Sequence, residues 1–580
     1  MAAIISALDT YTPNQIGENG HIEYGWSNSI REQILQFSFQ VTRTTRDGLS
    51  RLQIVLYGLL STLKNSVKSS TIQEREFAKQ MLSILYRMIG QTRDIIDGKG
   101  ECTLTYMMIY TWYSFFPQLA SFALKCLVDL GDEKVHQYGS WKDIKYFCEY
   151  CKSQGECVLH PLIHYAIKLV NAQLKADESS DRQNISLLAK WVPREKSSFN
   201  WLYESLACDY FPEVMETANT SERERKAILK CKTDYRKLLS RLNVKIDTTQ
   251  VKQCDKRWSE IDFGKVTSIT ISKQKKAFLN KKRDGTVRFP QDDDRIVCAE
   301  HFTSRIREAV AGEVENKGKR VGMADFTKQA RELLQQTKWN ENQDEIDLLN
   351  SQWRDNSSQT GAFGNMIAMV DVSGSMDGDP MDVAIALGIR IAEKSSLGKR
   401  VMTFSSSPTW VNLELYPDFV SMVNIVKRAP WGMNTNFKAA LGMILDAIIQ
   451  NNMEPEDVQD MVLVILSDMQ MDVGDSCNKE VLYREMEASY ANAGIRIHGK
   501  PYKPPHILFW NLRSTSGFPT LSSQSNCSMM SGFSPALLNF FCQQGLDALQ
   551  TCTPWSVLEK TLENERYQIL ADRLAQEIEV

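Results

Sequence analysis

The sequence predicts an α + α/β protein of two parts, an all-helical N-terminal array and a C-terminal α/β domain built on a doubly wound parallel sheet. Two patterns predict this division. From Tyr24 to about Leu174, apolar residues recur at steps of three and four, which is the periodicity of helices. After residue 365, short apolar runs alternate with amphipathic helices, as in a parallel sheet covered on both faces. We therefore expect a helical domain at residues 1–338, a linker at 339–360 and an α/β domain at 361–580.

The composition is that of a globular protein with more than one hydrophobic core. The chain has 580 residues, of which 43% are hydrophobic and 24% charged, and a formal charge of −3. That charge offers no overall cationic field, so any nucleic-acid site has to be a local patch. The first residues lack the pattern of a signal peptide, no apolar run is long enough to span a membrane, and the thirteen cysteines are an odd number. We expect an intracellular, cytoplasmic protein with reduced thiols and no membrane contact.

Glycine and proline are sparse inside the helical runs and fall between them, so the N-terminal part is predicted to be a series of stacked amphipathic helices. Within it, the segment from Tyr138 to Asp143, Tyr-Gly-Ser-Trp-Lys-Asp, places a capping serine and an acid at a helix start. A capped helix with a packed Trp141 explains this segment more simply than a binding site does.

Four soft metal ligands lie within thirteen residues of this helical part. Cys148, Cys151, Cys157 and His160 could together surround one tetrahedral zinc ion. The spacing between the two pairs is short for the usual zinc modules, and Cys148 and Cys151 fall on one helical face. We therefore favour free thiols over zinc at this position.

A strongly basic segment between residues 273 and 288 is the best candidate for binding phosphate groups. Seven cations stand there against one acid, Asp284, and Phe278 and Phe289 interleave with them. Aromatic rings in such a segment either stack on bases or pack into the core, and packing is the commoner role. The seven predicted RNA-binding residues are Lys273, Lys275, Lys276, Lys281, Lys282, Arg283 and Arg288.

Polar side chains follow separate strands of the predicted sheet, where parallel strands place their ligand sites. Asp371, Ser373 and Ser375 come directly after the first strand, Thr435 precedes a helix, and Asp468 follows a later strand. The three hydroxyls would bind Mg²⁺ directly, while the two carboxylates would hold coordinated waters and orient the hydroxyls. Because few negative charges touch the ion, it can accept a carboxylate from another molecule. A turn without metal is the alternative for the first of these loops.

These five residues resemble, in order and strand context, the metal-ion-dependent adhesion site (MIDAS) of von Willebrand factor A domains. The resemblance implies a Rossmann-like domain in which Asp371, Ser373, Ser375, Thr435 and Asp468 carry Mg²⁺ or another divalent cation. The chain departs from the family at its closing strand, where a Ser-rich insertion lies between residues 511 and 530.

The whole layout resembles the Ro autoantigen (TROVE) family, in which a HEAT-like ring of helical repeats is joined to an A domain. A closer likeness is to uncharacterised Ro-like proteins of plants, fungi and large DNA viruses. The resemblance implies a protein that holds structured RNA on its helical half, and, if the source is a large virus, the virion as an alternative location. The motifs that carry the likeness are Tyr138–Asp143, Ala189–Pro193, Tyr235–Leu239, Trp258–Asp262 and Ser531–Ser534.

The sequence favours binding over catalysis. Its seven histidines show no pairing with a nucleophile, Ser373 and Ser375 lack the G-x-S-x-G surround, and no phosphate-binding G-x-x-x-x-G-K-[ST] loop occurs. The sequence predicts no particular oligomeric state. Two hypotheses for the function remain. One is a Ro-like RNA-binding protein; the other is a protein-interaction or structural assembly protein without RNA, whose Mg²⁺ captures an acidic residue of a protein partner.

Overall fold

The structure, a computed structural model, describes residues 11–578 apart from 19, 133, 156–157, 181–184, 217, 336–341, 405–406, 431–436, 460, 471–481, 544–548 and 550. A short antiparallel hairpin, β1 (Asn14–Ile16) and β2 (Ile22–Tyr24), precedes the helical part. None of the described helices combines the length and hydrophobicity that crossing a bilayer requires.

The helical part follows the three-and-four periodicity of its apolar residues. Proline stands at the first position of three of these helices, at Pro117, Pro161 and Pro212, where no intrahelical hydrogen bond is lost. Threonine side chains cap others, as Thr45 does by accepting from the backbone N–H of Gly48 at 3.2 Å. The helices are α1 (Ile30–Gln40), α2 (Arg46–Ser66), α3 (Ile72–Arg93), α4 (Cys102–Tyr113), α5 (Pro117–Cys126), α6 (Trp141–Gly155), α7 (Pro161–Ser179), α8 (Leu188–Trp191), α9 (Asn200–Tyr210), α10 (Pro212–Glu216), α11 (Ser221–Ile246), α12 (Thr249–Cys254), α13 (Ser268–Phe278), α14 (Asp293–Ala311), α15 (Met323–Gln335) and α16 (Gln343–Ser357).

Helix α16 corrects the prediction of a linker at residues 339–360. Its Trp353 is buried and stacks on Phe419 with ring centres 3.9 Å apart. The polar residues that suggested a linker bind backbone instead: the Gln352 amide donates to the Lys317 carbonyl at 2.9 Å, and Asp355 accepts from Gly318 N–H at 2.6 Å. Composition misled here because these polar groups are satisfied inside the fold rather than by water.

The C-terminal part contains the predicted sheet. Six strands lie in the order β5-β4-β3-β6-β7-β8, and every pairing is parallel except that of β4 with β5. This mostly parallel sheet, together with the helices before it, confirms the α + α/β layout. The elements are β3 (Met366–Asp371), α17 (Asp379–Lys394), β4 (Arg400–Phe404), β5 (Thr409–Asn412), α18 (Phe419–Arg428), α19 (Phe437–Gln450), α20 (Pro455–Gln459), β6 (Val462–Ser467), α21 (Leu482–His498), β7 (His506–Asn511), β8 (Cys527–Ser531), α22 (Asn539–Gln543), α23 (Pro554–Leu562) and α24 (Gln568–Ile578).

The two faces of the sheet belong to two different cores. Residues such as Ile367 and Met369 of β3 pack in one cluster with the N-terminal helices, whereas Ala368 and Val370 pack in another with helix α17. Successive side chains of a strand point to opposite faces, so the central strands are apolar throughout. The face that carries Ile367 and Met369 is therefore covered jointly by helices α19 and α21 of the α/β domain and by helices of the helical part, among which α1 contacts β8.

The last two helices return to the helical part. Helices α23 and α24 pack on helix α3, where a Cβ atom at Gly90 would lie 2.9 Å from Leu570 Cδ1. Between these two helices, Arg566 donates to both carboxylate oxygens of Asp94 at 2.7 Å. The Tyr138 hydroxyl adds a bond to the carbonyl of Arg566 at 2.5 Å.

Candidate functional site

Two neighbouring parallel strands bring the predicted metal-binding loops together. In the register of β3 and β6, Val370 is opposite Leu466, so the next residues, Asp371 and Ser467, lie side by side. The Ser467 hydroxyl donates to Asp371 Oδ2 at 2.6 Å. Asp371 and Ser467 are fully buried. Loops 96 residues apart in sequence thus meet at the carboxyl edge of the sheet.

The loop after β3 is shaped by Asp371 itself. Asp371 Oδ1 accepts from the backbone N–H of Ser373 at 2.9 Å, which turns the chain into a short 3₁₀ helix at Gly374–Met376. This turn brings the Ser373 and Ser375 hydroxyl oxygens to within 3.1 Å of each other. Ser373 is buried and Ser375 half-buried, so the pair of hydroxyls lies at the mouth of the loop.

Asp468, the residue after β6, is buried beside this loop and paired with an arginine. Its Oδ1 accepts from Gln470 N–H at 3.2 Å, and its Oδ2 accepts from Arg513 Nη1 at 3.1 Å. Arg513 follows β7 and also lies 3.6 Å from Glu18 Oε2, in the loop of the N-terminal hairpin. The Gln470 side chain accepts from Glu18 N–H at 2.7 Å. The N-terminal hairpin of β1 and β2 therefore borders the site.

The electrostatics of the site favour a cation next to Asp371. Burial and, after it, the nearby charge of Asp468 together raise the pKa of Asp371 to about 7, although hydrogen bonds from Ser467 and Ser373 oppose the rise. Arg513 contacts Asp468 but makes no described contact with Asp371. A second positive charge placed between the two carboxylates would offset the cost of burying the charge of Asp371.

The donor set fits a hard divalent cation. Two hydroxyls and two carboxylates offer only oxygen, which Mg²⁺ prefers. Among the residues that the structure describes, no group of three or more His, Cys, Asp or Glu side chains is placed to hold a metal ion, so a metal here would rest on the hydroxyls of Ser373 and Ser375. Thr435, the remaining predicted ligand, lies outside the described residues.

The four residues considered for zinc have other surroundings. Cys148 and Cys151 are buried in the core, and burial raises the pKa of both thiols. His160 caps helix α7, because its Nδ1 accepts from Leu162 N–H at 3.2 Å. Cys157 lies outside the described part of the chain.

The segment Tyr138–Asp143 is occupied by an internal ion pair. Arg93 donates from Nε and Nη2 to the two carboxylate oxygens of Asp143, each at 2.8 Å. Tyr106 and the backbone of Ser140 also donate to Asp143, at 2.7 and 2.8 Å. A Cβ atom at Gly139 would lie 2.7 Å from Asp143, so glycine leaves room for the carboxylate. These contacts give the segment a structural role, and the Ser140 hydroxyl takes part in it by donating to Asp143 at 3.3 Å.

All seven predicted RNA-binding residues line one cleft of about 690 Å³. Helix α13 and the hairpin after it form one wall, and helix α15 forms the other. Lys275 and Lys281 already have acidic partners there, with Glu345 at 3.6 Å and Asp344 at 3.5 Å. The sequence missed Lys328 of α15, because its place opposite α13 depends on packing between distant helices.

Two residues at the metal loops were also given no role by the sequence. Ser467 immediately precedes Asp468. Its position at the end of a predicted strand is the sequence signal that could have identified it. Arg513 had no comparable signal, since it reaches Asp468 only through the pairing of β6 with β7.

Comparison with known proteins gives two family models and one curated relative. Domain of unknown function DUF7788 matches residues 365–573, and domain of unknown function DUF2828 matches residues 165–359. The chain is 30% identical over 477 residues to uncharacterized protein L728 of Acanthamoeba polyphaga mimivirus, across 79% of this chain and 76% of that protein. The similarity therefore extends over both parts of the fold.

Proposed function

We propose that this chain, which belongs to the same family as the uncharacterised mimivirus protein, is a cytoplasmic, non-enzymatic binding protein that captures a partner through a divalent cation. One observation carries the proposal. Two buried carboxylates, Asp371 and Asp468, and two hydroxyls, Ser373 and Ser375, meet at the carboxyl edge of β3 and β6. This arrangement supports the assignment of the C-terminal part as a von Willebrand A type domain with a metal-ion-dependent adhesion site. As part of the same proposal, the helical part is a Ro-like array of HEAT-like repeats.

Each residue has a separate task in this proposal. Ser373 and Ser375, with Thr435, would bind the cation through their hydroxyls, and Asp371 and Asp468 would orient the hydroxyls and hold coordinated waters. When bound, Mg²⁺ would supply an electrophilic centre with an open position for a carboxylate of a protein partner. The serine pair supports binding rather than hydrolysis, because each hydroxyl contacts the other and neither contacts a described histidine.

The test is to measure divalent-cation binding to the full chain by titration calorimetry. Asp371→Asn and Ser373→Ala should each weaken Mg²⁺ binding by about 10- to 100-fold, the usual cost of changing residues around a metal. Asp446→Asn, which makes the same charge change at an exposed acid of helix α19, is the control. Equal affinity in the wild type and in both site variants would overturn the proposal.

Capture of a partner is tested separately from binding of the metal. A protein retained on the immobilised chain in Mg²⁺ should be released by EDTA and should not be retained by Asp371→Asn. Retention that is indifferent to both changes would mean that the partner binds elsewhere.

A second candidate function is recognition of phosphate groups by the helical part. The observation that favours it is the convergence of all seven predicted basic residues on one cleft. Structured RNA is the ligand that a Ro-like layout implies, and a purely protein-binding or assembly role is the alternative. Binding to this cleft should weaken steeply with salt, because cations that contact phosphates release counterions.

A further inference from the structure

We infer that the basic cleft binds a compact polyphosphate, a small molecule that carries several phosphate groups, rather than a nucleic-acid strand. The inference rests on the phosphate recognition proposed above and names its ligand class. The lining of the cleft contains eight cationic side chains and only two acidic ones, Asp325 and Glu332. Such an excess of one charge in a concave site attracts a ligand of high opposite charge.

Most of this positive charge has no internal partner. Lys273, Lys282, Arg283 and Arg288 form no ion pair within 4.0 Å in the part of the chain that the structure describes, and Lys276 reaches only the carbonyl oxygen of Arg283, at 3.3 Å. Like charges that line one cleft repel one another and destabilise the folded chain. A bound polyanion would remove that repulsion, so it should stabilise the fold as well as bind.

The hairpin that carries three of these cations is held in shape by its own hydrogen bonds. Asp284 accepts from the backbone N–H and the hydroxyl of Thr286 at 3.0 and 2.7 Å. Lys282 N–H donates to the Thr286 carbonyl at 2.8 Å, and Gly285 has the positive φ of 87° that the turn requires. The acid of the basic segment is therefore used to form the turn and is not aimed at the cleft.

The base of the cleft is also fixed. Gln329 of α15 donates to the Ser272 hydroxyl at 2.9 Å and accepts from Lys275 Nζ at 2.9 Å, so it joins the two walls. Asn280 anchors the start of the hairpin by bonding both the N–H and the carbonyl of Phe289, at 3.1 and 3.0 Å. A site held from several sides loses little conformational entropy when a ligand binds.

The aromatic residues of the segment are not arranged to stack on bases. Phe278 is fully buried, with its ring centre 5.1 Å from that of Phe263. Phe289 is exposed, with 42% of its surface accessible, but the guanidinium groups of Arg288 and Arg295 already lie over its ring, 5.4 and 5.1 Å from the ring centre. Recognition of single-stranded RNA depends on open aromatic faces, whereas a volume of about 690 Å³ is typical of a small-molecule site.

The test uses the full chain and three probes: myo-inositol hexakisphosphate, inorganic phosphate and a single-stranded RNA oligonucleotide. The site variant replaces three exposed cations, Lys282→Gln, Arg283→Gln and Arg288→Gln. Lys275 is left unchanged, because its loss would strand the buried carboxylate of Glu345. The control makes the same charge change on helix α11, with Lys226→Gln, Lys230→Gln and Lys237→Gln.

We expect the hexakisphosphate to bind one-to-one, more tightly than phosphate or RNA, and to raise the melting temperature. The site variant should lose at least about 100-fold in affinity, since each charge-assisted hydrogen bond to a phosphate is worth roughly tenfold. It should also lose the ligand-induced rise in melting temperature, while the control variant keeps both. Equal binding by the two variants would overturn the inference.

The results also distinguish binding of a compact polyphosphate from the more general phosphate recognition on which that inference rests. If RNA binds and the site variant abolishes that binding, but the hexakisphosphate neither binds nor competes, phosphate recognition stands and the compact ligand is wrong. If none of the three probes binds, both are wrong.

Discussion

At the scale of single residues, the buried pair of Arg93 and Asp143 shows how a polar motif can be structural. Burial opposes ionisation of Asp143, but the adjacent Arg93 charge and the hydrogen bonds from Arg93, Tyr106 and Ser140 hold its pKa below the usual value. Both side chains are buried, and every strong contact of the carboxylate is with the helical part. The pair therefore fixes helix α6 against helices α3 and α4.

Arg93→Met should lower the free energy of unfolding by about 3–5 kcal/mol, because it leaves the buried Asp143 carboxylate without its counter-charge. Chemical denaturation followed by circular dichroism measures the change. Arg225→Met, which removes an exposed arginine from helix α11, should have almost no effect. A loss below about 1 kcal/mol for Arg93→Met would show that the pair is not important for stability.

The two acids of the candidate metal site could be predicted because each lies at the carboxyl end of a strand. Apolar runs identify β3 and β6, and Asp371 at the end of β3 and Asp468 just after β6 then fall at one edge by topology. Arg513 and Glu18 could not be predicted in this way, since their positions depend on the pairing of β7 and on the docking of the N-terminal hairpin. Local pattern thus identifies the acids, and only the tertiary structure identifies what faces them.

At the scale of elements, the closing helices α23 and α24 pack on helix α3 of the helical part. Their apolar residues pack so closely against helix α3 that position 90 has no room for a side chain and is occupied by Gly90. The sequence placed these helices in the α/β domain, since position in the chain was the only guide. Helix α16 was missed for a related reason: its polar residues bond to a loop that precedes it by more than thirty positions.

Leu570→Ala on helix α24 should destabilise the protein by about 2–5 kcal/mol, because it removes a fully buried side chain and leaves a cavity against Gly90. Thermal unfolding measures the change. Gln576→Ala, at an exposed position of the same helix, is the control and should change stability by less than about 0.5 kcal/mol. Similar melting temperatures for the two variants would contradict the packing described for this helix.

At the scale of the whole molecule, one hydrophobic cluster runs from the N-terminal helices through one face of the sheet to helix α24. The fold class and the order of its parts could be predicted from periodicity alone. The shared core of the two parts could not be predicted from the sequence. An apolar strand has the same sequence pattern whether a helix of its own domain or a distant helix covers it.

We expect the two parts to unfold together rather than in sequence. Hydrogen exchange under increasing denaturant should show the same opening free energy for amides of helix α3 and of strand β7, because both elements belong to the shared cluster. Leu570→Ala should lower both values equally. Separate opening energies that differ by several kcal/mol would show that the shared core does not couple the two parts.

The bond between Arg566 and Asp94 joins residues that are 472 positions apart. During synthesis on a ribosome, helix α3 emerges long before the helices that cover it. Its apolar surface therefore stays open to water while most of the chain is still being translated. This long delay would make the nascent helical part a natural client for chaperones that bind exposed apolar segments.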